Sequence, residues 1–532
     1  MNISLTRNSE LPPMSWLMRL VVGRDPGIDL LAGDHVEVFP NGWVEGAWSG
    51  DFGEFDLGHA YLAGTGGSIN GSQVTLYPPF HSCHSVVLAR TADSILASNS
   101  LALLVASSGL RIPKSRSGPF YPTLLDRLTH GIDAHEIRLP TDSDVDIQVV
   151  SIRPASLDAR TGEFQFLAPH SEADFSDYEG CVRFLMEVSR AVCENARDSR
   201  RRNTYLPAAL LSKGYDAPAA AVIAQHCGAD LALSLKRSQG AFDESHIDDS
   251  GVEIGRALGL PVKEFDRDTR LVREGAPVVD EFWATGFPTG DIVYLSMEDD
   301  VRGRVLFSGQ SGDAVWAKGA RLSRPFQRGD LMGNSLSELF RRTSTVFFPL
   351  TFLLAGRQDD VEAIGRAPEM AAWSVGGTYD RPIPRRLVEE AGVPRTSFGM
   401  KKSAAGARGL ALAEGDQELY DLLEPEYRAL LPEPTFPARS LLLKSTLVGH
   451  AKNAAVKWLP RVLLNQIRQR RKYRSRMAAP YVTMPLQAIG TQSAQTQLSR
   501  HVFTAWGIDR LAKCRYGPAV TNWMTESTEV RG

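Results

Sequence analysis

LLSKGYDAPAAAVIAQH, residues Leu210–His226, packs a serine, a glycine and an aspartate into five residues between two apolar runs. With the preceding LPAA it reads as a central strand that stops abruptly at Ser212. Gly214 can take a positive φ without steric cost, and Pro218 suits the first turn of a helix, where its missing N–H has no partner to lose. A strand, a tight loop and a helix start aim backbone N–H groups and the helix dipole at one point, an arrangement that binds phosphate. Taken alone, the stretch reads rather as a plain strand-to-helix connection.

The same order returns in GRVLFSGQSGDAVWAKG, Gly303–Gly319, where Ser308, Gly309, Gly312 and Asp313 occupy the loop. Between and around these copies strands alternate with helices: LPAALL, APAAAVIAQHC, DLALSL, SGVEIGRALG, PVKEF, RVLFS and DAVWAKG. Alternation predicts a parallel, twisted sheet with helices on both faces. Both loops would then lie at the carboxyl ends of strands, where open α/β sheets bind ligands at the switch point. Two aspartates facing one anion require a cation between them, and magnesium is commonly held by one or two carboxylates plus phosphate oxygens. Asp216 and Asp313 are the candidate metal ligands, although each also suits a helix N-cap.

The remaining sequence bounds the rest. At 532 residues the chain predicts more than one domain. A composition of 43% hydrophobic and 23% charged residues with a net charge of −3 is ordinary for a globular protein and argues against a basic nucleic-acid binder. Five scattered cysteines without a C-x-x-C pair fit a reducing cytoplasm, and neither an export signal nor an apolar run of membrane-spanning length is evident. Residues 1–110 hold short β-branched and aromatic runs, HVEVF, WVEGAW, QVTLY, SVVLAR and SILASNS, which predict antiparallel strands. RIPKSRSGPFYP (Arg111–Pro122) reads as a connector and DIQVVSIRPASLDARTGEFQFL as two further strands. Helix begins near Asp174, and residues 325–532 read as mostly helical. HSCH (His81–His84) reads as strand or loop rather than a metal centre, and Trp283 and Trp316 as core. The basic run Ile467–Met477 reads as a solvated helix face, with an anionic partner as the alternative.

SKGYDA and SGQSGDAVW resemble the two pyrophosphate-side loops, S-G-G-x-D-S and S-G-x-G-x-D-E, of the asparagine synthetase family. DDSGVEIGRALGLPVKEFD resembles the family's link between its second and third strands, and FPTGD stands where the family approaches its fourth. The resemblance spans roughly residues 175–410. It implies an α/β ATP pyrophosphatase of the adenine nucleotide alpha-hydrolase type over residues 173–532, with a helical C-terminal extension. Its chemistry would be ATP- and magnesium-dependent: a carboxylate is adenylated, pyrophosphate leaves, and an amine or ammonia forms an amide.

By position, the resemblance implies that Ser212, Lys213, Gly214, Tyr215 and Asp216, with Ser308, Gly309 and Gly312, surround the phosphates. Asp216 and Asp313 would hold magnesium, and Leu210, Leu211, Leu233 and Ser234 would receive the adenosine. GVPRTSFGMKKSAAG resembles the later motif whose lysine approaches the reacting centre, which points to Lys401 or Lys402; the bare pattern equally suits a surface lysine pair. The departures are Lys213 for the first loop glycine, Ala217 for the terminal serine and Gln310 for a glutamate assigned to acid/base work.

Residues 1–172 resemble the family's glutaminase partner only in outline, with SVVLARTADSILASNSLALLVA matching its closing hairpin. Asn2 stands where those domains need cysteine, so a degenerate β-rich domain of the N-terminal-nucleophile type without glutamine hydrolysis is expected. In that respect the chain is similar to β-lactam synthetases and lasso-peptide cyclases, which makes intramolecular lactam formation the first alternative. A catalytically weakened nucleotide-binding scaffold is the alternative of another class. The carboxylate, whether small molecule, sugar acid or peptide, is not named by the sequence.

Overall fold

The computed structural model describes residues 1–23, 26–91, 94–114, 120–121, 123–124, 132, 137–168, 175–239, 246–266, 279–285, 291–318, 333–377, 379–400, 423–431 and 494–529. They fall into two compact units, Met1–Ala411 with Phe503–Gly532, and Leu412–Val502. In the second unit the described residues include the helical turn Pro425–Arg428. Both the N-terminal sheets and the parallel sheet belong to the first.

Two sheets form the N-terminal region. One has the order Ile3–Arg7, Gly27–Ala32, Trp16–Val21, Ser94–Ser98, Val86–Arg90, Ile147–Val150 and Ile137–Leu139; all its pairs are antiparallel except the first. The other runs Phe164–Phe166, Ala155–Asp158, Gln73–Tyr77, Leu62–Asn70, Gly42–Trp48 and Glu37–Phe39, antiparallel throughout. Residues from both sheets, among them Trp16, Leu20, Leu30, Trp43, Leu76 and Leu157, merge into one buried core. Trp16 and Trp43 meet edge to face at 5.5 Å. The expected antiparallel strands are present, but Asp146–Leu167 supplies three strands rather than two. Ile147–Val150 joins one sheet while Ala155–Asp158 and Phe164–Phe166 join the other. Ile152, at φ 64°, sits in the crossing between them, a reversal the apolar pattern does not encode.

On Gly42–Trp48 the period of two sends Trp43 and Glu45 to the same face. Glu45 is therefore a carboxyl within the core, taking a hydrogen bond on Oε1 from Thr65 Oγ1 at 2.9 Å, while Thr65 Oγ1 accepts from Trp16 Nε1 at 2.9 Å. Burial pushes its pKa from 4.5 up to about 7, against the pull of the Thr65 hydrogen bond and the Arg341 charge. Because the folded value is the higher, the stabilisation is complete below pH 4.5 and lost as pH rises through about 7. Glu45→Gln, which keeps the shape and stays neutral, should therefore gain on the wild type across that window. A difference approaching roughly 3 kcal/mol at neutral pH is expected, read as urea unfolding at a series of pH values.

The third sheet is wholly parallel. Its strands, β1 (Leu206–Leu211), β2 (Ala232–Leu235), β3 (Val262–Phe265), β4 (Arg304–Ser308) and β5 (Val346–Pro349), stand in the order β3-β2-β1-β4-β5. The chain thus builds outward from β1 through β2 and β3, then returns to the other flank of β1 with β4 and β5. The order reverses between β1 and β4. Helix α1 (Asp216–His226) follows β1, and α2 (Val252–Leu258) links β2 to β3. Pro218 through Ala224 are all buried, as expected for a helix that is apolar on every side. It packs against β1, β4 and the long helix Tyr178–Ala196, whose start is capped by Asp177 Oδ1 accepting from Gly180 N at 2.7 Å.

Two expectations change here. The strand β5 lies in a stretch read as mostly helical, because a run of four apolar residues carries no period to separate strand from buried helix. After β4 the helix α3 is only Gly312–Val315. The backbone N–H of Lys318 goes to Asp380 O at 2.9 Å instead of continuing it. Near the C-terminus the helices Ala494–Leu511 and Gly517–Glu529 are joined by a π-helical turn, Ala512–Tyr516. Tyr516 in that turn donates to buried Glu338 Oε2 at 2.6 Å.

Candidate functional site

The β1 and β4 strands are paired in parallel, so their carboxyl ends and the loops that follow lie side by side. The two loops touch. An ideal Cβ on Gly309 would stand 2.1 Å from the carbonyl carbon of Asp216 and 2.5 Å from the Ala217 nitrogen. One on Gly312 would stand 2.4 Å from the Asp216 Cγ. Glycine is required at both positions because backbone and carboxylate occupy the space of a side chain. The second loop holds a further departure: Ser311 adopts φ 64°, in the left-handed region that non-glycine residues rarely occupy.

Asp216 lies at the first turn of α1 and between the loops. Its Oδ1 accepts from Trp316 Nε1 at 2.7 Å, and its Oδ2 pairs with Arg381 Nη1. Burial raises its carboxyl pKa above the usual value, opposed by Arg381 and reinforced by the charge of Asp313. The two candidate aspartates therefore lie within electrostatic reach of each other. Asp313 itself is exposed.

The predicted adenosine positions also come together. Leu210 pairs with Leu233 and Leu211 with Ser234 across β1 and β2. Buried Ser234 accepts at Oγ from Gly251 N at 2.9 Å, tying the end of β2 to the approach to α2. Lys213 is held at both ends: its N–H donates to Asp249 Oδ1 at 3.0 Å and its Nζ meets Asp248 Oδ2 at 2.5 Å. That second contact, with 32% and 68% of the side chains exposed, is a surface pair of small worth. Gly214 N donates weakly to Ser212 Oγ at 3.4 Å.

Tyr215 differs from its expected place facing a ligand. Its ring is fully buried between Tyr379 at 4.8 Å and Phe398 at 6.0 Å, and its hydroxyl takes a hydrogen bond from Arg385 Nη2. Only its backbone can line the loop, and its side chain wedges the loop into position. Gln310, assigned to catalysis, lays its side-chain amide 2.0 Å from the ideal Cβ position of Gly333, while its backbone carbonyl accepts from Thr351 Oγ1. Gly333 is anchored by fully buried Asp291, whose oxygens take its N–H at 2.8 and 2.9 Å. Lys401, Lys402 and the basic run 467–477 lie outside the described residues.

Sequence reasoning missed Arg381. It directly precedes α4 (Pro382–Glu390), is 3% exposed, and places its guanidinium 5.0 Å from the Tyr379 ring and 6.0 Å from the Tyr215 ring. In DRPIPRRL it reads as one of three arginines near a helix start, and no local signal tells which of them turns inward. Trp316 was read as core, and it is 3% exposed, but its indole N–H is also the donor that fixes Asp216. The HSCH histidines sit among rings: His81 lies 5.3 Å from Phe80 and 5.1 Å from His84. Among the described residues no group of three or more His, Cys, Asp or Glu is placed to hold a metal ion. No helix among them is long and apolar enough to cross a membrane.

A scan against protein-family models and a search of curated proteins each find no match to this chain.

Proposed function

We propose that the chain is an ATP- and magnesium-dependent ligase that adenylates a carboxylate and then forms an amide, as its resemblance to asparagine synthetases implies. The observation that carries this reading is the interlocking of the β1 and β4 loops around Asp216 at the point where strand order reverses. The donor set suits the ligands. Asp216, through the lone pairs left beside its contacts with Trp316 and Arg381, and exposed Asp313 would offer hard carboxylate oxygens, leaving the remaining magnesium positions to phosphate oxygens and water. Two polar groups shut away from solvent, Ser311 Oγ and Arg381 Nε, have no hydrogen-bond partner among the described residues, and both can donate to a phosphate.

Magnesium, when bound, would neutralise phosphate charge between the two aspartates. The chain's own residues do the rest. The start of α1 directs its dipole and N–H groups to the loop, Ser212 and Ser311 supply hydroxyls, and Lys213 and Arg381 supply positive charge. A substrate carboxylate oxygen attacks the α-phosphorus, the bond to pyrophosphate breaks, and the pyrophosphate carries off the electron pair. An amine nitrogen then attacks the acyl carbon, AMP leaves, and the nitrogen gives up a proton. Gln310 cannot accept that proton at neutral pH, so the base is another group or the amine arrives unprotonated.

Incubation with ATP, magnesium and a panel of carboxylates should release pyrophosphate and AMP in equal amounts. Substrate that loses water without gaining nitrogen would identify the lactam-forming variant. ATP binding seen by calorimetry with no pyrophosphate across the panel would replace the ligase reading with that of a nucleotide-binding scaffold.

A further inference from the structure

We infer that Arg381 is an anion-binding residue of this site, bridging Asp216 to a phosphoryl oxygen; the inference extends the ATP reading above and rests on it for the identity of the phosphate. A guanidinium presents five N–H donors in a fixed fork and stays charged throughout the ordinary pH range. In Arg381, Nη1 meets Asp216 Oδ2, yet Nε, on the same buried group, has no acceptor among the described residues. A buried donor left unpaired costs about 1–3 kcal/mol, which an anion placed against it recovers.

The surroundings fix that group rather than satisfy it. The guanidinium stacks near Tyr379 and Tyr215, and Arg381 immediately precedes the buried turn at Pro382. A second unpaired donor, Ser311 Oγ, belongs to the loop whose glycines press on Asp216. Ser311 and Arg381 lie 70 residues apart in sequence; Arg381 pairs with Asp216, and Ser311 stands between the two glycines that press on it. A tetrahedral oxyanion with several acceptor oxygens, as in a di- or triphosphate, is the acceptor such donors bind best.

The test uses inorganic pyrophosphate as probe, titrated calorimetrically into the full chain in the presence of a chelator, so that no cation takes part. The wild type should bind at millimolar concentrations or below. Arg381→Met should weaken binding about 10- to 100-fold, the range of a charge-assisted hydrogen bond, and Arg381→Lys should fall between. Asp216→Asn should bind more tightly than the wild type, because without a cation its carboxylate repels the phosphate. Opposite signs in these two variants cannot come from general disruption of the loops. Weakening in both, unchanged affinity in Arg381→Met, or no wild-type binding at millimolar pyrophosphate would each overturn the assignment. Pyrophosphate binding through Arg381 without ATP turnover would leave it standing and remove the ligase reading. Turnover with unaltered pyrophosphate affinity in Arg381→Met would do the reverse.

Discussion

Replacing Asp216 with alanine should lower ATP-dependent pyrophosphate release at least about a hundredfold, the scale on which a single charge-stabilising group acts in a transition state. The same change exposes a second effect. Arg381 is 4% exposed at its side chain and Asp216 23%, so removing the acid leaves a buried guanidinium without its counter-charge. Such losses cost several kcal/mol when both partners are fully buried; with solvent reaching Asp216, about 2 kcal/mol is the expected destabilisation. The double variant Asp216→Ala/Arg381→Met removes the stranded charge and should recover most of that stability while recovering no activity. Thermal unfolding and pyrophosphate release, measured on the three proteins, separate the structural from the chemical role. Wild-type turnover in Asp216→Ala would refute the assigned role outright.

Gly309→Ala should be the most damaging single-methyl change at the site. Its Cβ would stand 2.1 and 2.2 Å from the carbonyl carbon and oxygen of Asp216, and backbone cannot swing aside as a long side chain can. The loops must part, at a cost near the upper end of overpacking, about 3 kcal/mol. Because Asp216 moves with its backbone, activity should fall as far as in Asp216→Ala. Gly214→Ala is the control: its nearest neighbours, Ser212 Oγ and Tyr379 Oη, lie at 3.6 Å, an ordinary contact, and stability should stay near the wild type. Unfolding midpoints for both variants check the contrast, and equal midpoints would mean that the loops do not interlock.

Both loops were legible in the sequence because their punctuation is local. A strand that ends at Ser212 or Ser308, a glycine and an acid form a pattern that needs no knowledge of distant residues. The strands β1 to β4 were legible too, since an apolar run bounded by turn formers reports itself. What was not legible depends on tertiary partners. Arg381 meets Asp216 across 165 positions, and no property of either segment names the other. Trp316 reads as core and Tyr215 as a residue of the phosphate loop, and only packing shows that one supplies a hydrogen bond and the other a wedge. The strand β5 was lost because four residues are too few to show a period. The positive φ of Ser311 is likewise imposed by the loop contact and not by the residue's own preference.

The parallel sheet ends on β3 at one side and β5 at the other. Along β3, Val-Lys-Glu-Phe, two of the four residues are charged, and Lys263 is exposed with its ammonium 2.7 Å from Asp300. Strand β5 ends at Pro349, which has no backbone N–H to offer. Charge and proline are what natural sheets place on their borders to refuse an incoming strand. Variants that loosen the loops above the sheet should therefore lose function while remaining monodisperse, since neither border of the sheet invites intermolecular strand addition.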